Sequence, residues 1–176
     1  MTEHSLSIRS LGAEEAVRRN AELAALLIDC VEGGASVGFL LPVDRERAGT
    51  FWRTVAEGLA AGRRILLVAE DQADGSLLGT VQIVLGQPEN QPHRGDLSKM
   101  LVHRRARRRG IGAALMDAAE DAARSVGKTL LVLDTSTKEA ERLYERAGWV
   151  RTGTIPGYAL MPDGRPGRTT FFYKHL

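Results

Sequence analysis

The sequence predicts one mixed α/β domain in which helices flank a mainly antiparallel sheet. Two strand-like runs are joined through Asp74-Gly75, a pair suited to a tight hairpin turn, so these strands should be antiparallel. Two later runs are separated by a helical pattern, and a connection of that length favours parallel pairing. The 176 residues, 43% of them hydrophobic, suffice for one core and are too few for two ordinary domains. We therefore assign residues 1–176 to a single domain.

The first third of the chain is predicted to form one strand followed by two helices. Residues Ser5–Ser10 alternate between polar and apolar side chains, as in a short strand. The first helix should end near Gly33-Gly34, and the second should begin at Pro42 and end at Gly62. The apolar positions at helical spacing are Leu23, Leu26, Leu27 and Cys30 in the first helix and Phe51, Val55 and Leu59 in the second.

The rest of the chain alternates between strands and helices. The runs "RRILLVAED" and "LLGTVQIVL" form the predicted hairpin, and Asp96–His103 is the next strand. An amphipathic helix follows, with its apolar stripe at Ile111, Leu115, Ala118, Ala119, Ala122 and Val126. The apolar run "TLLVLDTS" is typical of a central strand buried on both faces. A short helix over "KEAERLYERAGW" stops at Gly148, and two closing strands complete the sheet.

Composition narrows the classes of function. There are 24 Lys and Arg residues against 22 Asp and Glu residues, a net charge of +2, so the surface is not generally cationic. A single cysteine, Cys30, excludes an internal disulfide, and no Cys/His spacing resembles a metal site. The start "MTEHSLSIRS" lacks an export signal, and no apolar run approaches the ~18 residues of a membrane span. We expect a soluble cytoplasmic protein without a metal or a membrane partner.

Five arginines in the six residues Arg104–Arg109 directly precede Gly110, at a strand-to-helix junction. The first N–H groups of a helix are unpaired and carry roughly half a positive charge. Gly110 and Gly112 have no Cβ, so an anion can approach this backbone closely, and a pyrophosphate could be held there by main chain and guanidinium together. The alternatives are a solvated basic loop and a nucleic-acid contact. The latter would need a broader basic face and aromatic stacking, and this stretch has no aromatic residue.

Two motifs carry a resemblance to a known family. "RRRGIG" fits Arg/Gln-x-x-Gly-x-Gly/Ala, the pyrophosphate signature of the GNAT acetyltransferases, and "KEAERLYERAGW" resembles their second signature. The resemblance implies acetyl-coenzyme A as co-substrate and a GNAT fold, whose mixed sheet has a parallel, splayed central strand pair. "EGGASVGF", "LVLDT", "IPGY" and "PDGR" are similar, in order, to the tabtoxin-resistance acetyltransferase branch.

The resemblance also implies roles for individual residues. Main-chain groups of Met100, Leu101 and Val102 would contact the pantetheine arm and the acetyl carbonyl, where an N–H could stabilise the developing oxyanion. The other implied coenzyme contacts are Arg107, Arg108, Arg109, Gly110, Ile111, Gly112, Ala113, Thr137 and Tyr144. Tyr144 would protonate the leaving thiolate; the alternative is a tyrosine that only packs on the sheet. Thr137 stands where many members of the family have asparagine.

Asp96 and Asp134 match carboxylates at the substrate site of the tabtoxin-resistance branch. Both would receive the amine, and Asp96 is the predicted base. Since the branch carries the longer Glu at that position, action through a water is expected. The alternative for Asp96 is a strand-end cap. Tyr158 and its neighbours would shape the acceptor pocket, whereas Cys30 is predicted to be a core residue.

The sequence therefore predicts an enzyme that moves acetyl from acetyl-coenzyme A to a primary amine of a small molecule by direct attack in a ternary complex. The resemblance implies an amino-group toxin or antibiotic, such as a tabtoxin-type β-lactam, as substrate, and hence a resistance role. A peptide or protein N-terminus is one alternative. A nucleic-acid-binding module using Arg104–Arg109 and a catalytically inactive coenzyme sensor are the others. The protein is expected to be a monomer or a homodimer.

Overall fold

The sheet of this protein has seven strands. The computed structural model describes residues 6–176, so Met1–Ser5, with the start of the predicted first strand, lie outside it. The strands are β1 Leu6–Ser10, β2 Arg64–Asp71, β3 Leu77–Val84, β4 Arg94–Val102, β5 Leu130–Thr135, β6 Val150–Leu160 and β7 Pro166–His175. They are ordered β1-β2-β3-β4-β5-β7-β6, and only β4 and β5 are parallel neighbours. The predicted α/β fold with a mixed, mostly antiparallel sheet is confirmed.

Within the described residues, five α-helices flank the sheet, and the first third of the chain differs from its prediction. The helices are α1 Ala13–Arg18, α2 Asn20–Glu32, α3 Arg45–Ala60, α4 Ile111–Ser125 and α5 Lys138–Arg146. Three helices therefore follow β1, so the predicted number of two was wrong: α2 and α3 end close to the predicted Gly33-Gly34 and Gly62, and α1 was not predicted. Arg19 separates α1 from α2 because its backbone (φ −96°, ψ 15°) leaves the helical range, while its guanidinium contacts Glu70. Pro42 precedes α3, which begins after Asp44, whose carboxylate accepts from the Arg47 N–H at 2.8 Å.

Strands β4 and β5 pair only briefly before they separate. The parallel register runs from Arg94 opposite Leu130 to Asp96 opposite Val132. Beyond that point β4 continues to Val102 along β3, whereas β5 continues along β7. The splay opens a gap between the two strands in the middle of the sheet, directly before α4 begins.

Apolar side chains fill both faces of the sheet. Alternate residues of β2 point to opposite sides: Leu66 and Val68 face the layer of α1, α2 and α3, and Leu67 and Ala69 face the layer of α4. Burial of these two layers supplies the main driving force for folding. Because both faces are covered, the open edge of the splay is where a ligand can reach the central strands.

Neither a membrane-spanning helix nor a metal-binding cluster is found among residues 6–176. Within residues 6–176, no helix is long and apolar enough to cross a membrane. In the same range, no three His, Cys, Asp or Glu side chains are grouped so that they could hold a metal ion.

We expect Glu70→Gln to lower the free energy of unfolding at pH 7 by about 1–3 kcal/mol. Glu70 is buried and accepts from Arg9 Nε at 2.6 Å and from Arg19, and these bonds hold its pKa below the usual 4.5. A carboxylate with a depressed folded-state pKa stabilises the protein fully above the unfolded-state pKa. That stabilisation is lost as the pH falls through the folded-state value.

Chemical denaturation at pH 7 and at several pH values below 4.5 measures this effect. Glu22→Gln is the matched control because Glu22 also binds Arg19 but is exposed, so its change should be much smaller. An equal stability of Glu70→Gln and wild type at pH 7 would contradict the expectation. A difference that grows with acidification would do so as well.

Candidate active site

A groove of about 1010 Å³ begins where β4 and β5 separate and runs along the start of α4. Its walls come from the end of α2 and the following turn, the end of β4, the first turn of α4, and α5. The lining residues include Cys30, Gly33, Gly34, Ala35, Met100, Leu101, Val102, Ala106, Arg107, Arg108, Gly110, Ile111, Gly112, Ala113, Asp117, Thr137, Glu139, Ala140, Leu143, Arg146 and Ala147. Most of the predicted coenzyme contacts therefore line this one groove.

The start of α4 has the geometry of an anion site. Gly110 lies in the left-handed region (φ +76°), and the Ala114 N–H to Gly110 C=O bond of 3.0 Å begins the helix. No side chain caps the helix, so its first N–H groups face the groove with the positive end of the helix dipole. A Cβ built on Gly112 would lie 3.2 Å from Leu143 Cδ2, so glycine keeps this wall open. A pyrophosphate fits here because backbone donors are at hand and no side chain blocks them.

Two of the five arginines anchor the junction to neighbouring elements. Arg104 Nε donates to Asp29 Oδ1 on α2 at 2.9 Å, and Arg105 donates to Ser76 Oγ beside β3 at 2.9 Å. These contacts hold the loop between β4 and α4 against the rest of the domain. The nucleic-acid alternative loses support because part of its proposed basic cluster is already engaged within the domain.

The remaining arginines are placed differently with respect to the groove. Arg107 and Arg108 line it, and Arg107 Nε also donates to the Val102 carbonyl at 3.3 Å. Arg108 has a positive φ of 63°, which turns the chain just before the helix. Arg109 is exposed and does not line the groove. The coenzyme role predicted for Arg109 thus lacks the placement that Arg107 and Arg108 have.

A second cavity of about 360 Å³ adjoins the groove at the splay. Both cavities are lined by Ala35, Met100, Thr137 and Ala140. The further walls of the second cavity are the loop after α2, the middle of β4, the end of β5 and part of β6. Two molecules, one in each cavity, would meet at this shared wall.

The two predicted carboxylates occupy different places. Asp134, at the end of β5, lines the second cavity and remains exposed at its mouth; partial desolvation raises its pKa above the usual 3.8 although nearby Lys99 opposes the shift. Asp96 lies where β4 and β5 still pair, and its Oδ1 is 3.2 Å from the Arg94 guanidinium. Asp96 does not line the second cavity. Of the pair, the structure brings only Asp134 to the cavity wall.

Tyr144, on α5, lines the second cavity while its ring is packed in the core. Tyr144 is 4% exposed, and the centroid of its ring lies 6.0 Å from that of Trp149 and 5.8 Å from that of Phe172. Burial, with a smaller contribution from the charge of Asp134, raises the pKa of the phenol well above its usual value of 10. The hydroxyl is protonated at neutral pH, as in an ordinary tyrosine, and can act as a proton donor, although the raised pKa makes it a weaker acid.

The other predicted residues also lie near the splay. Thr137 lines both cavities and caps α5, since its Oγ1 accepts from the Ala140 N–H at 3.3 Å. Tyr158, on β6, lines the second cavity with its ring edge-on to Phe171 at 5.3 Å. Sequence reasoning missed Lys99, which lines the second cavity from β4. Strand β4 mixes polar and apolar residues, so a lysine within it was not a distinct signal.

Gly112→Val is expected to weaken coenzyme A binding roughly tenfold or more, because the new methyl groups obstruct N–H donors worth about 1–2 kcal/mol. Isothermal titration with coenzyme A measures the affinity, and a thermal melt measures the stability. Asp121→Val is the matched control because it places the same side chain on α4 at a position that is 81% exposed. Unchanged coenzyme affinity in a folded Gly112→Val protein would contradict a coenzyme site at this helix start.

Comparison with known proteins agrees with this geometry. The model of the acetyltransferase (GNAT) family matches residues 38–149. An "uncharacterized N-acetyltransferase in hisH-hisA intergenic region" of Azospirillum brasilense is 33% identical over 116 residues, which are 65% of this chain and 65% of that protein. The fold is similar to that of yncA from Salmonella typhimurium, solved with its cofactor acetyl-CoA (TM-score 0.79, 20% identity, 98% and 94% of the two chains). It is also similar to a ribosomal-protein-alanine N-acetyltransferase from Brucella melitensis (TM-score 0.78, 24% identity, 97% and 99%). This chain belongs to the GNAT acetyltransferase family.

Proposed function

We propose that this GNAT acetyltransferase moves the acetyl group of acetyl-coenzyme A to the primary amine of a small molecule. One observation carries the proposal: the groove at the start of α4 and the second cavity share a wall at the splay of β4 and β5. With one substrate in each cavity, the amine and the acetyl group meet directly. No acetylated enzyme is then required.

The residues of the groove suit the coenzyme. The first N–H groups of α4, with Arg107 and Arg108, would hold the pyrophosphate, and the end of β4 would run beside the pantetheine arm. When bound, acetyl-coenzyme A supplies an acetyl group activated as a thioester. A backbone N–H near Met100 would stabilise the negative charge that develops on the acetyl oxygen.

The second cavity supplies the proton chemistry. Asp134 would hold the ammonium form of the acceptor and take its proton, directly or through a water, because an ammonium ion cannot attack. The sequence predicts Asp96 as the base. Because Asp96 lies beside Arg94 and does not line the second cavity, we propose Asp134 for this role instead. The Tyr144 hydroxyl would then donate a proton at the sulfur as the thioester bond breaks.

The acceptor is proposed to be a small molecule. A cavity of about 360 Å³ is at the small end of ordinary ligand sites. Its walls include the loop after α2 and the side chain of Tyr158. The resemblance to the tabtoxin-resistance branch supports an amino-group toxin or antibiotic and a resistance role. The buried, unpaired Cys30 agrees with action in a reducing cytoplasm.

A screen of acceptors tests this function. Release of free coenzyme A from acetyl-coenzyme A would be measured with amino acids, diamines, amino-group antibiotics and short peptides. Turnover of at least one small amine, dependent on acetyl-coenzyme A, is the expected result. Turnover confined to peptides would favour the protein N-terminus as acceptor, and coenzyme binding without turnover of any amine would favour a sensor.

A further inference from the structure

Lys99 lies at an irregularity that changes the direction of side chains on β4. Opposite β3, Gln82 faces Ser98 and Thr80 faces Leu101, so β4 contains one more residue than β3 over this stretch. Lys99 itself has a positive φ of 52°, and its carbonyl accepts from Thr80 Oγ1 at 3.2 Å. Such a bulge breaks the in–out alternation of a strand and redirects a side chain. Here it places Lys99 in the wall of the second cavity.

The ammonium group of Lys99 has few partners inside the protein. Its Nζ lies 5.4 Å from the centroid of the Phe51 ring, and a Cβ built on Gly38 would be 3.9 Å from it. Over residues 6–176, Lys99 forms no side-chain hydrogen bond or ion pair. Burial lowers its pKa, and the nearby charge of Asp134 partly opposes this. A half-buried cation with one aromatic neighbour still has donors available for an anion.

We propose that Lys99 binds a carboxylate on the acceptor while Asp134 binds its amine, so that the enzyme selects amino-acid-like, zwitterionic acceptors. Binding of the acceptor amine by Asp134 is taken from the proposed function, on which this part of the inference rests. The cavity presents one positive and one negative side chain, which complements a zwitterion and leaves a simple amine facing an unneutralised lysine. Hydroxyl groups of Ser36, Ser98 and Thr135 line the same walls and can accept or donate hydrogen bonds.

Binding of acetylated products isolates the role of the carboxylate. A panel of N-acetyl-L-amino acids and the matching N-acetyl-L-amino acid amides would be titrated into the coenzyme A complex of the protein. Because neither series carries a free amine, ionisation of an amine cannot affect the comparison of their affinities. The acids should bind at least about tenfold more tightly than the amides, the usual effect of a charge-assisted hydrogen bond.

The variants then assign this preference to one side chain. Lys99→Met should abolish the acid preference, Lys99→Arg should restore part of it, and Lys99→Gln replaces Lys99→Met if the latter does not fold. Arg45→Met is the control because it removes a positive charge from an exposed position that lines neither cavity. It should retain the full preference.

These experiments distinguish a failure of the role of Lys99 from a failure of the proposed function. Equal binding of acids and amides by the wild type, no binding of either, or an acid preference that survives in both Lys99→Met and Lys99→Gln would overturn the role of Lys99. Absence of acetyl transfer to every amine would overturn the proposed function. An acid preference that depends on Lys99 would still support the carboxylate site in that case.

Discussion

Replacement of Tyr144 by Phe is expected to lower kcat about 100-fold or more with little change in the affinity for acetyl-coenzyme A. The phenol is buried, lines the second cavity and is protonated at neutral pH, so it has a proton to donate. Phe retains the ring contacts with Trp149 and Phe172 and removes only the proton donor. Steady-state kinetics and coenzyme titration measure the two quantities.

Tyr173→Phe is the matched control for this variant. Tyr173 lies on β7 beside His175 and lines neither cavity, so kcat should be close to that of the wild type. Wild-type turnover in Tyr144→Phe would show that solvent protonates the thiolate. Tyr144 would then serve packing alone.

The second large effect is expected from Asp134→Asn, which should lower kcat/KM about 100-fold or more and remove the acidic limb of its pH profile. A base acts only when deprotonated, so activity should fall as the pH drops through the raised pKa of Asp134, which lies above the usual 3.8. Asp96→Asn should retain this limb because Asp96 lies beside Arg94 and outside the cavity. The profiles of both variants are to be measured with the same acceptor.

Ionisation of the acceptor amine can produce a similar limb. Acceptors with different amine pKa values separate the two causes, since a limb due to the enzyme stays at the same pH for all of them. Loss of the limb in Asp96→Asn together with its retention in Asp134→Asn would restore Asp96 as the base. A limb that follows the acceptor in every variant would mean that the amine arrives already deprotonated.

The antiparallel hairpin of β2 and β3 and the parallel direction of β4 and β5 follow from local sequence patterns, whereas the splay of β4 and β5 was implied by the resemblance to the GNAT family. The Asp74-Gly75 turn predicts that β2 and β3 are antiparallel, and the helix between β4 and β5 predicts that these two are parallel. The break between α1 and α2 was not predictable in this way. It coincides with the contact of Arg19 with Glu70, two residues 51 positions apart, and helical spacing carries no information on such a contact.

The candidate site was predictable where backbone chemistry is encoded in a motif, as at Gly110 and Gly112. It was less predictable where the placement of a single side chain decides, because the same motif cannot show that Arg108 lines the groove and Arg109 does not. The cavity position of Lys99 was not predicted because the extra residue in β4 cannot be recognised from the hydrophobic pattern of the sequence. Likewise, two carboxylates at strand ends look equivalent until the pairing places Asp134 alone in the cavity wall.

Isotopically labelled acetyl-coenzyme A tests direct transfer most sharply. The protein would be incubated with it before and after addition of an accepted amine, and mass spectrometry would locate the label in both the protein and the acceptor. We expect an unlabelled protein at every stage and label on the acceptor nitrogen only after the amine is added. Label on the protein before the amine is added, followed by its passage to the acceptor, would contradict direct attack across the shared wall of the two cavities.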